Sequence, residues 1–416
     1  MDSVEVLVVG AGPVGMLTAV ALAQTGVDVL VVETAAELND SPRAAVYFAS
    51  TLVALEELGL LADLEARSLK VRTFGFHAPE FDFHPVISSE CMKGISFDFQ
   101  LHCGQDVFTQ VAMEHALRLG ARVRFSSRLV GLTQEAGRVI AQLDTPDGPE
   151  SIAADWVIGA DGARSTVRRL IDVEFAGLTW PNRFVATNIY CDMAALGYQP
   201  ANFICDPVYG GVVAQLDNEG LWRLTYHEGG EHPAESFMER LPAKFAGFIP
   251  EGTAYSIKAA QPYVIHQRCA ERLRVGRVLL AGDAAHATNP CGGLGLTTGV
   301  WTGLVAADLL GAIQKGEADE AVLDRYSEER RKIFLEISSP GATENKRMME
   351  EADRDQRLKD IEGVKLMASD PDVARLMLSF PFRVIGAPLR EGSRWRDADP
   401  TARAGLAIEG RASQLA

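Results

Sequence analysis

The chain opens with an apolar, β-branched run, Glu5–Val9, then a glycine-punctuated turn, Gly10–Gly15. An Ala/Leu-rich stretch runs on to about Gln24, is halted by Gly26, and gives way to a second apolar run, Val29–Glu33. Short β-branched runs bounded by glycine predict strands and the longer apolar stretch predicts a helix, so the opening reads as one βαβ unit. Ser50–Leu64 has the spacing of an amphipathic helix, whereas Phe74–Phe99 is aromatic-rich and broken by proline, which predicts strands and loops. Gln105–Leu119 predicts a helix that Gly120 ends. Short strands are predicted at Arg122–Ser126, Leu129–Gln134 and Val139–Leu143, with turns at Glu135-Ala136-Gly137 and Asp147-Gly148. Trp156–Ala160 reads as a buried strand ending in Asp-Gly.

The pattern then changes. Between Phe184 and Ile265 the strand-like pieces are Phe184–Tyr190, Val208–Gln215, Leu221–Tyr226 and Tyr255–Ile265, with Asn218-Glu219-Gly220 as a hairpin turn. This predicts a mostly antiparallel sheet inserted into an α/β pattern that resumes at Val278–Ala281. Beyond Leu294 the chain reads as helical to about Met377, with the charged run around Lys346–Asp360 as a solvated helix face. The Arg/Asp/Gly-rich tail after Glu391 predicts no defined element.

Composition changes this picture little: 416 residues, 47% hydrophobic and 23% charged, describe an ordinary globular chain of two or three domains. A net charge of −16 argues against sequence-independent nucleic-acid binding. The six cysteines form no CxxC pair and, with the eight histidines, no metal-ligand spacing, so no metal site is expected. Scattered thiols, and an apolar strand that begins at Glu5 where a signal peptide would lie, fit the cytoplasm. Gly293–Ala312 is apolar apart from Asp308 and reads as a buried core helix rather than a membrane span.

Three motifs carry candidate chemistry. Gly10-Ala11-Gly12-Pro13-Val14-Gly15 fits GxGxxG between a strand and a helix, and Glu33 ends the next strand. That arrangement places a pyrophosphate on the helix N-terminus and a carboxylate on an adenosine ribose, and it disfavours a 2′-phosphate there. Asp161-Gly162 and Gly282-Asp283 end two further strands. Acids at three strand ends exceed what NAD requires and suit a longer cofactor, FAD, whose ribityl hydroxyls an aspartate can hold.

GAGPVG, GADGARSTVRR and GRVLLAGDAAHATNPCGGLGL together resemble the fingerprints of the single-component FAD-dependent aromatic hydroxylases, the p-hydroxybenzoate hydroxylase-like flavoprotein monooxygenases. The resemblance implies a Rossmann-type FAD-binding domain over residues 1–180 and 266–340. It further implies an inserted β-sheet substrate domain over 181–265 (with part of 70–104) and a C-terminal helical region and tail over 341–416. Asp283 is then the ribityl ligand, while Asp161 and Arg164 handle FAD and reduced nicotinamide. Arg43 and Gln105 contact FAD, and the loop Pro290–Leu296, with Gly293 and Gly295, sets backbone N–H groups against the anionic reduced ring. NADH or NADPH is the implied transient reductant, with O2 transferred through a flavin C4a-hydroperoxide to a phenolic or hydroxylated N-heteroaromatic ring, with or without decarboxylation.

Substrate contacts are expected on the inserted sheet, from Tyr209, Gln215, Arg223, Tyr226 and His227. His286 is expected to be structural. The small aromatic substrate is the expected partner, without nucleic acid or membrane, and a homodimer is compatible with the sequence. A reductase or dehydrogenase of a prenyl or quinone-like substrate and a non-catalytic FAD-fold binding protein stay open as alternatives. One departure stands out: where the family has Gly-Met-Asn or Gly-Leu-Asn followed by Asp-Ala, this chain has Thr297 and Thr302-Gly303.

Overall fold

The computed structural model describes residues 2–41 and 44–406. The chain begins β1 (Asp2–Val9), α1 (Pro13–Gln24), β2 (Val29–Val32), β3 (Val46–Tyr47), α2 (Ala49–Glu57) and α3 (Leu61–Glu65). Four short strands, β4 (Leu69–Val71), β5 (Thr73–His77), β6 (Val86–Ser88) and β7 (Gln100–His102), lead to α4 (Gln105–Arg118). Then come β8 (Arg122–Arg124), β9 (Arg128–Glu135), β10 (Arg138–Thr145), β11 (Gly148–Gly159) and α5 (Thr166–Leu170). The next segment contains β12 (Phe175–Tyr190), β13 (Ala201–Ile204), β14 (Gly211–Gln215), β15 (Leu221–Glu228), α6 (Phe237–Phe245) and β16 (Ser256–Ala270). The chain closes with β17 (Arg274–Val275), β18 (Val278–Leu280), β19 (His286–Ala287), α7 (Leu294–Gln314), α8 (Val322–Ile333), α9 (Ser339–Glu350), α10 (Arg354–Ser369), α11 (Pro371–Ser379) and α12 (Pro400–Arg403).

Two eight-stranded sheets organise these elements. The first runs β17-β18-β11-β1-β2-β8, parallel from β18 to β8, with β9 and β10 as a meander on β11. Its central strands are buried on both faces, as their uninterrupted Val/Leu/Ile runs require. The second runs β19-β16-β12-β15-β14-β13-β5-β6 and is antiparallel except where β13 meets β5. Strands β3, β7 and β4 make a small third sheet.

Several elements differ from the sequence reading. Ser50–Leu64 is two helices, because Leu58 and Gly59 end α2 before α3 begins. Val208–Gln215 is not one strand, since Asp206 Oδ1 accepts from the amides of Val208 and Tyr209 at 2.8 Å and holds them in a turn ahead of β14. β12 and β16 are longer than read, pairing from Phe175↔Ala270 to Tyr190↔Ser256 across two register shifts. The charged run is not one continuous solvated helix face: α9 stops at Glu350 and α10 begins at Arg354, and within a run that is otherwise largely solvated Lys346 is only 1% exposed. α7 is long and apolar enough to cross a membrane, yet most of its residues lie inside the molecule, packed chiefly on α1.

Candidate active site

The β1–α1 turn has the shape of a dinucleotide cradle. Gly10 sits at φ +107°, where a Cβ would lie 2.5 Å from the Ala160 carbonyl oxygen, so the turn closes only around glycine. Gly12 is the N-cap of α1, no side chain caps that end, and a Cβ there would meet nothing within 4 Å. Open space in front of unsatisfied helical N–H groups fits a pyrophosphate. Pro13 opens α1 and Gly15 packs beneath Gly10. Glu33 follows β2, its two oxygens accepting from the Ala11 and Ala35 amides at 2.9 Å each, which fixes a carboxylate at the ribose edge of the cradle.

The Gly-Asp turn after β18 lies against the same helix. A Cβ on Gly282 would meet Val14 at 3.1 Å, and one on Gly299 of α7 would meet Gly282 Cα at 3.1 Å. Asp283 is exposed on this turn, beside the first turn of α1. A pyrophosphate at Gly12 and a polyol at Asp283 are therefore contiguous, so the residues present fit FAD.

Asp161 is tied into the chain that follows it. Its carboxylate accepts from Ser165 Oγ and from the Thr166 and Val167 amides at 2.6 and 3.1 Å, capping α5. Burial pushes this carboxyl up while those hydrogen bonds pull it down. The cap aims Arg168 inward, where its guanidinium donates to the carbonyls of Ala163 (2.7 Å) and Ala284 (2.8 Å) and lies 3.7 Å over Phe175. Through Arg168, Asp161 ties the Asp-Gly turn to the Gly-Asp turn from inside the protein. Arg164 is exposed on the same loop, and Gln105, partly exposed, is the first residue of α4. Arg43 lies outside the described residues.

The glycine loop ahead of α7 is held by residues that sequence patterning did not single out. Gln267 Oε1 accepts from Thr288 Oγ1 (2.9 Å), the Asn289 amide (3.1 Å) and Asn289 Nδ2 (3.2 Å), while Asn289 Oδ1 accepts from the Cys291 amide at 3.0 Å. Gly293 is the N-cap of α7 without a side-chain cap, and Pro290 is exposed on the loop. Gly295 and Leu296 form the first turn behind it, and Thr297 turns its hydroxyl onto the Gly293 carbonyl at 3.1 Å. Gly292 faces α9 so closely that a Cβ would lie 2.1 Å from Asn345 Nδ2.

Opposite the loop stands one face of the second sheet. Strand periodicity divides β15: Arg223, Thr225 and His227 share a face with Asn188, Ala186 and Phe184 of β12, their register partners. Phe184 pairs in turn with Tyr263 of β16, the rings stacked at 6.1 Å. Phe184, Ile265, Cys291 and Met349 form one buried cluster with Tyr263 against it, so this face meets the loop directly. Arg223 is 5% exposed, and its Nε donates to Asn188 Oδ1. Burial drives its guanidinium down to about 10, with Tyr263 and Tyr47 opposing.

Tyr226 and Tyr209 are not at this face. Tyr226 is fully buried on the far side with Leu224, Phe245 and Phe248 beneath α6, where burial pushes its phenol up. Tyr209 packs edge-on to Phe248 at 6.4 Å on that same side. Gln215 holds the hairpin, donating to the Asp217 carbonyl at 2.8 Å. His286 is buried, bonded through Nε2 to Thr302 Oγ1 (2.8 Å) and stacked on Phe334 (4.8 Å), a structural residue lowered to about 3 by burial and then Arg330. Among the described residues no cluster of three or more His, Cys, Asp or Glu could hold a metal ion.

The chain is similar to proteins of known activity. The FAD binding domain family model matches residues 3–338. The chain is 39% identical to the para-nitrophenol 4-monooxygenase of Pseudomonas sp. (strain WBC-3), over 90% of this chain and 94% of that one. It is 36% identical to the 6-hydroxy-3-succinoylpyridine 3-monooxygenase of Pseudomonas putida (strain DSM 28022 / S16), over 91% and 97%. The crystal structure of p-nitrophenol 4-monooxygenase from Pseudomonas putida DLL-E4 superposes with a TM-score of 0.89 at 39% identity, covering 93% of this chain and 99% of that one. Aklavinone-11 hydroxylase, solved with FAD and aklavinone, superposes at 0.75 with 28% identity, covering 85% and 70%. The chain belongs to the FAD binding domain family, and within it to the single-component FAD-dependent aromatic monooxygenases of the p-hydroxybenzoate hydroxylase type.

Proposed function

We propose that this monooxygenase uses NADH or NADPH and O2 to hydroxylate a single phenolic or hydroxylated N-heteroaromatic ring. The observation that carries the reading is the apposition of the glycine loop at α7 with the Arg223–Phe184–Tyr263 face of the second sheet. FAD, when bound, supplies the redox chemistry, accepting reducing equivalents from the nicotinamide and delivering one atom of O2 to the ring and the other to water.

The chain's own residues bind, orient and exclude water. Gly12 and the α1 N-terminus hold the pyrophosphate, Glu33 the ribose and Asp283 the ribityl chain. The uncapped amides of Leu294, Gly295 and Leu296 at the α7 N-terminus would lie against the flavin ring, where their N–H groups would stabilise negative charge. Phe184, Tyr263 and Met349 keep the opposing wall dry, and Arg223, oriented by Asn188, sets a cation against an electron-withdrawing group of the substrate. The names of the two relatives place oxygenation at position 4 of para-nitrophenol and position 3 of 6-hydroxy-3-succinoylpyridine. Each is the carbon opposite a ring hydroxyl and already carries the ring's other substituent, which must leave when oxygen enters there, and we assign the same position here. Work in the cytoplasm, alone or as a homodimer, is consistent with this role.

The test follows NADH and NADPH oxidation by FAD-loaded protein with 4-nitrophenol, hydroxybenzoates and hydroxypyridines, counting peroxide against oxygenated product. One class should accelerate nicotinamide oxidation and yield product in excess of peroxide. Acceleration by none of them overturns the reading.

A further inference from the structure

A second polar cluster lies on the Arg223 face of β15. His227 stands four residues beyond Arg223, and at about 3.3 Å per residue the two positions are roughly 13 Å apart. Strand side chains stand nearly perpendicular to the sheet, so their tips keep about that separation. Between them the face is Thr225 and Ala186, with Phe184 of β12 beside His227.

Around His227, α9 delivers Lys346, paired with Glu350 and 4.3 Å over the Trp180 ring. Asn182 Nδ2 donates to the other Glu350 oxygen at 2.8 Å. Three buried polar atoms here have no protein partner: His227 Nε2, Trp180 Nε1 and Asn182 Oδ1. Buried polar atoms are paired in about nine cases in ten, so three orphans together indicate a polar guest. The place borders the glycine loop, since Lys346 and Glu350 both act on the Cys291 thiol and Met349 packs with Cys291, Phe184 and Trp180.

We propose that this cluster receives the ring hydroxyl of the substrate, that His227 Nε2 takes its proton, and that Arg223 holds the group para to it. The inference rests on the hydroxylase reading above. Subtracting two hydrogen bonds of about 3 Å from the ~13 Å span leaves about 7 Å, the length of one ring with para polar groups. A fused polycycle is too long for it. The ring O–H bond breaks, its electron pair stays on oxygen, and the proton forms Nε2–H beside the Glu350 carboxylate.

The His227 ring lies by the Asp206 backbone, and Nε2, buried without a protein partner, is the nitrogen open to accept. Burial lowers this imidazole, Glu350 opposes, and Lys244 of α6 and Lys346 of α9 lower it further, so it is uncharged at neutral pH. A weakened base takes protons most readily from acidic phenols. Those are the ones whose para group withdraws electrons, which is the group Arg223 suits.

The experiment titrates 4-nitrophenol bound to oxidised, FAD-loaded protein, reading its coloured phenolate by difference spectra against pH. His227→Gln should raise the apparent pKa of the bound ligand by about one unit, with kcat falling about 100-fold and flavin content unchanged. Trp180→Phe, which keeps a ring and removes the donor, should move the titration less and in the same direction. 3-Nitrophenol should bind about tenfold more weakly than 4-nitrophenol, because it cannot span both poles. An unmoved titration in His227→Gln with turnover by the unaltered protein intact overturns the His227 assignment alone. Equal binding of the two isomers overturns the two-pole geometry. If the unaltered protein neither binds nor turns over any phenol, the hydroxylase reading falls and this inference with it.

Discussion

Arg223 and Tyr226 are three residues apart on one strand and face opposite sides of the sheet, so substitutions at the two should separate function from packing. The Tyr226 hydroxyl is buried without a partner under α6. Tyr226→Phe removes an unpaired polar atom, and should leave kcat/KM unchanged and unfolding stability equal or slightly higher. Arg223→Met should keep FAD and lower kcat/KM for 4-nitrophenol by about 100-fold, since a hydrogen bond to a charged group contributes about 1.5–3 kcal/mol. Stopped-flow turnover with urea unfolding of both variants checks the pair. Two other residues set an acid limit. Burial holds His102 uncharged down to about 4 and His286 down to about 3. The unfolded chain takes up those protons near pH 6.5, whereas the folded chain does not. Stability is therefore complete above about pH 6.5 and falls as pH drops through the window to about 4, continuing to about 3 for His286. His286→Gln should flatten the pH slope of urea unfolding in that window; an unchanged slope would show that His286 titrates alike in both states.

Among elements, the crossing of α1 and α7 is what joins the two halves of the cofactor cradle. A Cβ on Gly303 would meet Thr18 Oγ1 at 2.3 Å and Val14 Cγ1 at 3.0 Å, and Val14 is also what Gly282 packs against. Gly303→Ala should force the helices apart at a cost of about 1–3 kcal/mol and loosen FAD, both visible in denaturant unfolding and in flavin content after dialysis. The sequence made this cradle legible because Gly10, Gly12, Glu33 and Asp283 obey local rules: a strand end, a helix start, a residue type with one job there. The substrate wall was not legible in the same way. Which face of β15 looks at the loop is set by register with β12 and by α6, and α6 carries an internal proline that hides it from helical pattern matching. Gln267, Asn289 and Asn345 act through partners far along the chain or on another element, so no spacing announces them. Lys346 looked solvated because its neighbours Glu344, Arg347 and Glu351 are a surface network, while helical phase turns Lys346 itself inward.

At the scale of the whole molecule, the tail that sequence left undefined returns to brace the cofactor domain. Arg390 makes paired hydrogen bonds of 2.9 and 3.1 Å to Asp308 of α7, and Trp395 packs edge-on to Trp301 at 5.2 Å. α7 is thus clamped at its far end by the tail and at its near end by Gln267 and the loop, with the cofactor cradle between. A ligand seated there binds the folded chain and not the unfolded one, so FAD should stabilise in proportion to the logarithm of its concentration, about 2.7 kcal/mol at 100 times Kd. Asp283 is exposed on its turn, where a ligand can reach its carboxylate. Asp283→Ala is expected to abolish most of the rise in thermal midpoint that added FAD produces in the unaltered chain. Paired melting curves with and without FAD measure that rise. A full FAD-induced rise in Asp283→Ala would move the ribityl contact elsewhere, whereas a large drop in the stripped protein would make Asp283 a structural residue of the turn.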